Sequence, residues 1–255
     1  MKSQLELANH FKELHTKGNP LVLYNIWDAG SAIAIQEIGS KAIATGSWSV
    51  AASHGLDDGE NIEIELVMSN LKRILSKVEL PVTIDIEGGY GQNITEIQKT
   101  ITEVINAGAV GINFEDQRIG SEEMYSCQEQ CARIKGIRGV ADELGIPLFI
   151  NARTDLFLNK NPDLHNGELL EEAISRANAY SEAGADGYFA PGLINPLLIK
   201  KLCEISPLPV NIMITNATPT TQELTNLGVS RISYGPIPYL EMLKFIKAEA
   251  QKVLI

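Results

Sequence analysis

The chain has 255 residues, 44% of them hydrophobic, and no long polar or low-complexity stretch, which suits one large α/β barrel or two small domains with a real core. Its net charge of −11 argues against a nucleic-acid partner, whose phosphates demand a basic face, but leaves room for a locally positive site. No apolar run reaches the ~18 residues of a membrane span, the opening MKSQLELANHFKELH lacks the apolar core of a secretory signal, and three cysteines are few for a disulfide framework, so a reduced, cytoplasmic protein away from the membrane is expected.

In chain order, the apolar runs predict eight strands: 21–27, 42–47, 82–87, 111–116, 148–155, 187–192, 210–215 and 231–235. Helical patterns lie between them. One spans about 60–77, with Ile64, Val67, Leu71 and Ile74 on one face. Another spans about 126–144, where Ser126 and Glu129 form a capping-box pattern. A last helix covers about 236–253. The phrases NAGAVGINF, EAGADGYFA, NLGVSRISY and EIGSKAIAT each read helix, glycine, short apolar strand. Repeated units of this kind, with strands apolar on both faces, mean a parallel sheet. Eight of them fit a single-domain (β/α)₈ barrel over residues 1–255 better than an open doubly wound sheet, and no domain boundary is evident.

Polar residues break the apolar strands in a regular way. Side chains alternate faces along a strand, so Asp85 pairs with Glu87, Asn113 with Glu115, Asn151 with Arg153 and Asp155, and Asn211 with Met213 and Thr215. Each group lies near the carboxyl end of its strand, where barrel active sites form. The second strand adds Thr45 and Ser47. Three carboxylates on neighbouring strands repel one another unless something positive lies between them. Mg²⁺, or Mn²⁺ in its place, answers this with a hard ion that takes oxygen ligands. Arg153 could face a substrate carboxylate or phosphonate with its planar fork; alternatively it simply neutralises Glu115 or Asp155. The stretch 46–61, GSWSVAASHGLDDGEN, reads as a loop after the second strand, and its Asp57-Asp58-Gly59 is ordinary turn chemistry. No dinucleotide fingerprint, phosphate loop or G-x-S-x-G elbow is present.

Taken in order, NIWDAGSA, TGSWSVAASHGLDD, PVTIDIEGGYG, GAVGINFEDQ, FINARTD, AGADGYF and GVSRISYG resemble the isocitrate lyase / phosphoenolpyruvate mutase superfamily over nearly the whole chain. The resemblance implies a (β/α)₈ barrel, a Mg²⁺ ion, and small 2-oxo acids or enol phosphates as substrates, with a C–C or P–C bond made or broken beside a pyruvyl unit by way of an enolate. It implies Asp85 as the principal metal ligand, with Glu87 and Glu115 reaching the metal directly or through water. Asp58 becomes a site residue close to substrate and metal. Ser47, with the Gly46 and Trp48 backbone, is implied as the binder of the substrate carboxylate, Arg153 as the substrate-binding arginine, and Asn211 and Thr215 as polar groups on strand seven. Many members have Asp where this chain has Glu87.

The match departs at the loop after the fourth strand. The lyases carry K-[KR]-C-G-H there, and the mutases a lysine and an asparagine. This chain reads EDQRIGSEEMYSCQEQC, a shorter lid whose one cation is Arg118. The lyase glutamate after strand six is replaced by FAPG. A phosphonomutase-like enzyme is expected, with a pyruvate-releasing lyase or oxaloacetate decarboxylase as the nearest rival and a metabolite-binding homologue that has lost catalysis as the rival of another class. The resemblance also implies a homo-oligomer, dimer or tetramer. Members often exchange a C-terminal helix between subunits, and the little chain beyond 253 argues against that exchange here.

Overall fold

Each apolar run starts a strand and each glycine-ended helix returns the chain to the next one, all eight strands running parallel. In the computed structural model, which describes residues 2–254, the strands are β1 Leu21–Leu23, β2 Ile43–Ala44, β3 Val82–Asp85, β4 Gly111–Glu115, β5 Phe149–Arg153, β6 Gly187–Phe189, β7 Val210–Met213 and β8 Arg231–Ser233. The helices are α1 Gln4–Glu13, α2 Ala29–Glu37, α3 Ser47–Ser53, α4 Ile64–Leu75, α5 Ile94–Ala107, α6 Cys127–Glu143, α7 Gly167–Glu182, α8 Pro196–Ile205, α9 Thr221–Asn226 and α10 Ile237–Leu254. The sheet runs β1-β8-β7-β6-β5-β4-β3-β2. A single bridge, Ile26 to Thr45, brings β1 and β2 together and closes the ring. This is the (β/α)₈ barrel, not an open sheet.

The repeated phrase does what its glycine predicts. Gly108 caps α5 in the left-handed region at φ 113°, a conformation that costs glycine little. The capping box of Ser126 and Glu129 is formed at the start of α6.

Two expectations change. The second strand ends at Ala44 instead of running to 47, because α3 starts at Ser47 inside the stretch read as loop. Its N-cap, Gly46, makes no side-chain hydrogen bond, so no capping residue announced it. The helix expected from about 60 begins only at Ile64, because Glu60 sits at φ 56° and breaks the backbone path.

The core has two parts. Strand residues such as Ile84, Ile112, Ile150 and Ile212 pack outward against the helices. Phe11 of α1 plugs the amino-terminal end of the barrel with Leu21, Leu23, Val110 and Phe149. One flank is bare. Val22 on β1 is 40% exposed and Tyr24 is 42% exposed. Helix α10 buries only Pro238 and Tyr239, the latter edge-on to Trp27, and leaves Phe245, Ile246, Val253 and Leu254 exposed.

Candidate active site

The carboxyl ends of the strands surround a cavity of about 200 Å³. Asp58, Asp85, Asn113, Arg153, Ser47 and Trp48 line it, together with Asn25 and a set of apolar residues. Asp85 is the last residue of β3, and its backbone N–H donates to the Thr45 hydroxyl at 3.0 Å. Gly46 and Ser47 stand at the start of α3, where the first backbone N–H groups have no partner within the helix.

Glu87 does not share a face with Asp85 as strand alternation predicts. β3 stops at Asp85, and Glu87 sits in the left-handed region at φ 50°. Its Oε2 accepts from the backbone N–H groups of Gly59 and Glu60 at 2.7 and 2.9 Å, and Tyr90 donates to Oε1 at 3.2 Å. The carboxylate therefore tethers the Asp57-Asp58-Gly59 turn above the barrel mouth. Burial, then Asp58 and Asp85, push it up to about 7. Burial likewise raises Asp58, and Asp85 adds to the rise.

Glu87 and Glu115 belong to an adjoining cleft of about 250 Å³ that shares Asp58, Arg153 and Leu158 with the cavity. The three acids expected at one metal are thus divided between two compartments. Among the described residues, no three His, Cys, Asp or Glu side chains gather closely enough to cage a metal. The donor set still fits Mg²⁺ chemically: every donor is a hard carboxylate oxygen, Asp85 is in the cavity wall, and its repulsion raises both Asp58 and Glu87. Mg²⁺ keeps several waters and binds through one or two carboxylates.

Arg153 pairs with both acids that could neutralise it. Its Nη1 is ion-paired with Glu115 at 2.8 Å, and Nε and Nη2 donate to the two oxygens of Asp155 at 2.6 and 2.8 Å. Burial works against the charge, but Glu115 and Asp155 hold the guanidinium protonated well above its usual range. Burial pushes Glu115 well up, against the pull of Arg153. Nε and Nη2 are hydrogen-bonded and Nη1 is ion-paired; the N–H groups left over are available to a ligand, and Arg153 lines the cavity.

Asn211, on β7, is buried and bonded to the Ser233 hydroxyl at 3.2 Å. Thr215 lies past the end of β7, in a turn where its hydroxyl accepts from Ala217. Neither is among the cavity residues. Asn113 lines the cavity, and its Oδ1 accepts from Asn151 at 2.9 Å and from Arg231 at 3.0 Å. Arg231 is fully buried; burial lowers it to about 9, with Asp85 pulling the other way.

Asn25 was not singled out in the sequence. Its Oδ1 accepts from Tyr234 and Gly235, and its Nδ2 donates to Thr45, so it stitches three strand ends together. A polar residue directly after an apolar run, as in LVLYN, was the available signal.

The lid is short and pinned. Arg118 bonds Glu129 at 2.8 Å and stacks on Tyr125, whose ring also stacks on Arg133. Ile119 rests on Gly88, where a Cβ would come within 2.8 Å of it. Cys127 begins α6, away from the cavity residues.

An acid-rimmed cavity at the carboxyl ends of parallel barrel strands is where barrel enzymes work, and the chain is an enzyme of that class. It belongs to the phosphoenolpyruvate phosphomutase family, whose model matches residues 11–254. It is similar to the 2-methylisocitrate lyase of Escherichia coli, 31% identical over 88% of this chain and 76% of the relative. A Burkholderia cenocepacia structure solved as a candidate phosphonomutase is 45% identical, covering 98% of this chain and 99% of that one at a TM-score of 0.96. A phosphonopyruvate hydrolase solved with oxalate and Mg²⁺ shares the fold, at a TM-score of 0.81 and 20% identity over 98% of this chain and 88% of that one.

Proposed function

We propose that the chain is a Mg²⁺-dependent enzyme acting on a small 2-oxo or enol-pyruvyl acid, making or breaking a C–C or P–C bond by way of an enolate. The observation that carries this is the placement of Asp85, Asp58 and Arg153 in one cavity together with Asn113, to which Arg231 donates. Asp85 would hold the ion, with Glu87 and Glu115 reaching it through water; Mn²⁺ suits the same oxygens. The ion supplies a fixed positive charge where an oxyanion develops. Ser47 and the Gly46 and Trp48 backbone hold the substrate carboxylate, and the free N–H groups of Arg153 orient it. Asp58, raised by burial, is placed to take or give a proton at the reacting carbon.

Release of pyruvate or glyoxylate tests this, with oxaloacetate, isocitrate, 2-methylisocitrate, other 2-alkyl malates and phosphonopyruvate as the panel. Release from one member, dependent on Mg²⁺, is expected. If nothing is released, phosphorus NMR of phosphonopyruvate and phosphoenolpyruvate reports a mutase, which interconverts the two without releasing product. Silence in both, with oxalate still bound, would move the protein to the metabolite-binding class.

We also propose a homo-oligomer joined through α10. The sequence argued against helix exchange because little chain follows the last helix. In the structure α10 itself is the free element: Met242, Leu243, Ile246, Ala250 and Val253 fall on one face of a helix that its own barrel leaves mostly uncovered, and the outer face of β1 is bare as well. A second copy supplies the cover for both. The double variant Ile246→Asp, Val253→Asp is expected to sediment as a monomer, with an unchanged far-UV spectrum; an oligomer of wild-type size would place the contact elsewhere.

A further inference from the structure

The rim is divided by chemistry. Strands β2 to β5 and their loops bring Asp58, Asp85, Asn113 and Arg153 to the cavity. The loop after β5 and the ends of β6 to β8 bring Leu158, Phe189, Pro191, Met213 and Pro236. Apart from Ser233 and the Gly235 backbone, that second half offers a ligand hydrocarbon alone. Leu158 is 46% exposed although it lines the cavity, which is unpaired apolar surface waiting at the mouth. The wall is also firmly built: Met213 lies against Gly235, where a Cβ would come within 2.7 Å of its Sδ.

A census of charge points the same way. Arg153 is the one cation among the cavity residues, and Glu115 and Asp155 already engage it. No lysine or histidine lines the cavity. Arg118, the lid cation, is bound to Glu129 and stacked on Tyr125. A phosphonate or second carboxylate seated against Phe189 and Met213 would be a desolvated anion without a partner, which is strongly unfavourable. A methyl or isopropyl group there would replace water on an apolar wall.

We propose that the physiological substrate carries a short branched aliphatic group, and no anion, on the side of its pyruvyl unit that faces Leu158, Phe189, Pro191 and Met213. This rests on the functional reading above and narrows it to a C–C substrate of the 2-oxo acid or alkyl-malate type, away from phosphonates and tricarboxylates. Leu158, Phe189 and Met213 are its specificity-determining residues.

The test is calorimetric binding to the full chain with Mg²⁺, using oxalate, pyruvate, 3-methyl-2-oxobutanoate and phosphonopyruvate. Each buried methyl is expected to tighten binding about fourfold, so 3-methyl-2-oxobutanoate, with two more carbons, should bind roughly fifteenfold tighter than pyruvate, and phosphonopyruvate no tighter than pyruvate. Leu158→Arg, at the exposed mouth, should reverse the order of the branched acid and the phosphonate. Oxalate and pyruvate binding with phosphonopyruvate tightest in the wild type would overturn the inference and leave the functional reading standing. No Mg²⁺-dependent binding of oxalate would overturn the functional reading itself, and this inference with it.

Discussion

Asp85→Ala is expected to abolish Mg²⁺-dependent binding of oxalate while the barrel stays folded. Asp85 is the acid at the end of β3 that lines the cavity, and its carboxylate makes one protein contact, accepting the Glu87 backbone N–H at 3.2 Å. Losing an outer-shell partner of a metal costs about 10–100-fold in affinity, so losing the principal ligand should exceed that range. The cost to the fold falls on buried Arg231, which loses the pull of Asp85. Asp85 adds to the rise of both Asp58 and Glu87, so its removal relieves repulsion, and Glu87 should fall part of the way from about 7, with burial and Asp58 still holding it up. A raised carboxyl is a group whose ionisation opposes folding. The metal-free wild type should therefore lose stability as pH rises from about 4.5 to 7, and the variant less so. Calorimetric titration with oxalate and thermal melts across that range check both parts. Unchanged oxalate binding would remove Asp85 as the ligand.

Arg153→Lys should weaken oxalate binding roughly 10–100-fold, the worth of one hydrogen bond to a charged group, even though the charge is kept. The guanidinium serves Glu115 and both oxygens of Asp155 at once, through N–H groups in a fixed plane. An ammonium is a point charge with three donors and cannot hold two buried acids and a ligand in that geometry. The side chains of Glu115 and Asp155 are 8% and 2% exposed, so a part-broken network also lowers stability, by about 2–3 kcal/mol. The melting temperature and the affinity separate the two roles. A protein that melts early yet binds oxalate normally would return Arg153 to neutralising its neighbours and nothing more.

The barrel was readable because its signals repeat: the same helix–glycine–strand phrase recurs, and Gly108, Gly184 and Gly228 all adopt the left-handed conformation it needs. Strand alternation placed Asp85, Asn113 and Arg153 at the rim, because each lies inside a regular strand. It failed two residues beyond Asp85, where the left-handed Glu87 leaves the strand path and the rule no longer applies. Asn211 was placed on the inward face, and its side chain is taken up by Ser233, since alternation says which face a residue occupies but not which partner it meets. Helix α3 was hidden by a glycine N-cap and a run of small residues that read equally well as a loop. The apolar half of the rim had little signal. Alternation put Met213 on the inward face with Asn211, but Phe189 looks like a core residue in a strand, and only the ring of the barrel shows that the two share a wall with Leu158 and Pro236.

The Asn25 stitch bears on how the protein comes to exist. Its hydrogen bonds to Tyr234 and Gly235 join positions 209 and 210 residues apart, and β1 pairs with β8 across the same span. A growing chain on the ribosome therefore carries seven strands with β1 joined to the sheet only by the Ile26–Thr45 bridge, and part of the pocket wall missing, until the segment around residue 235 emerges. Pairing of such distant segments makes folding slow and leaves strand edges open to association meanwhile. Fragments that stop before β8 should thus be aggregation-prone and unable to bind ligand, and expression of active protein should depend on translation reaching the end of the barrel.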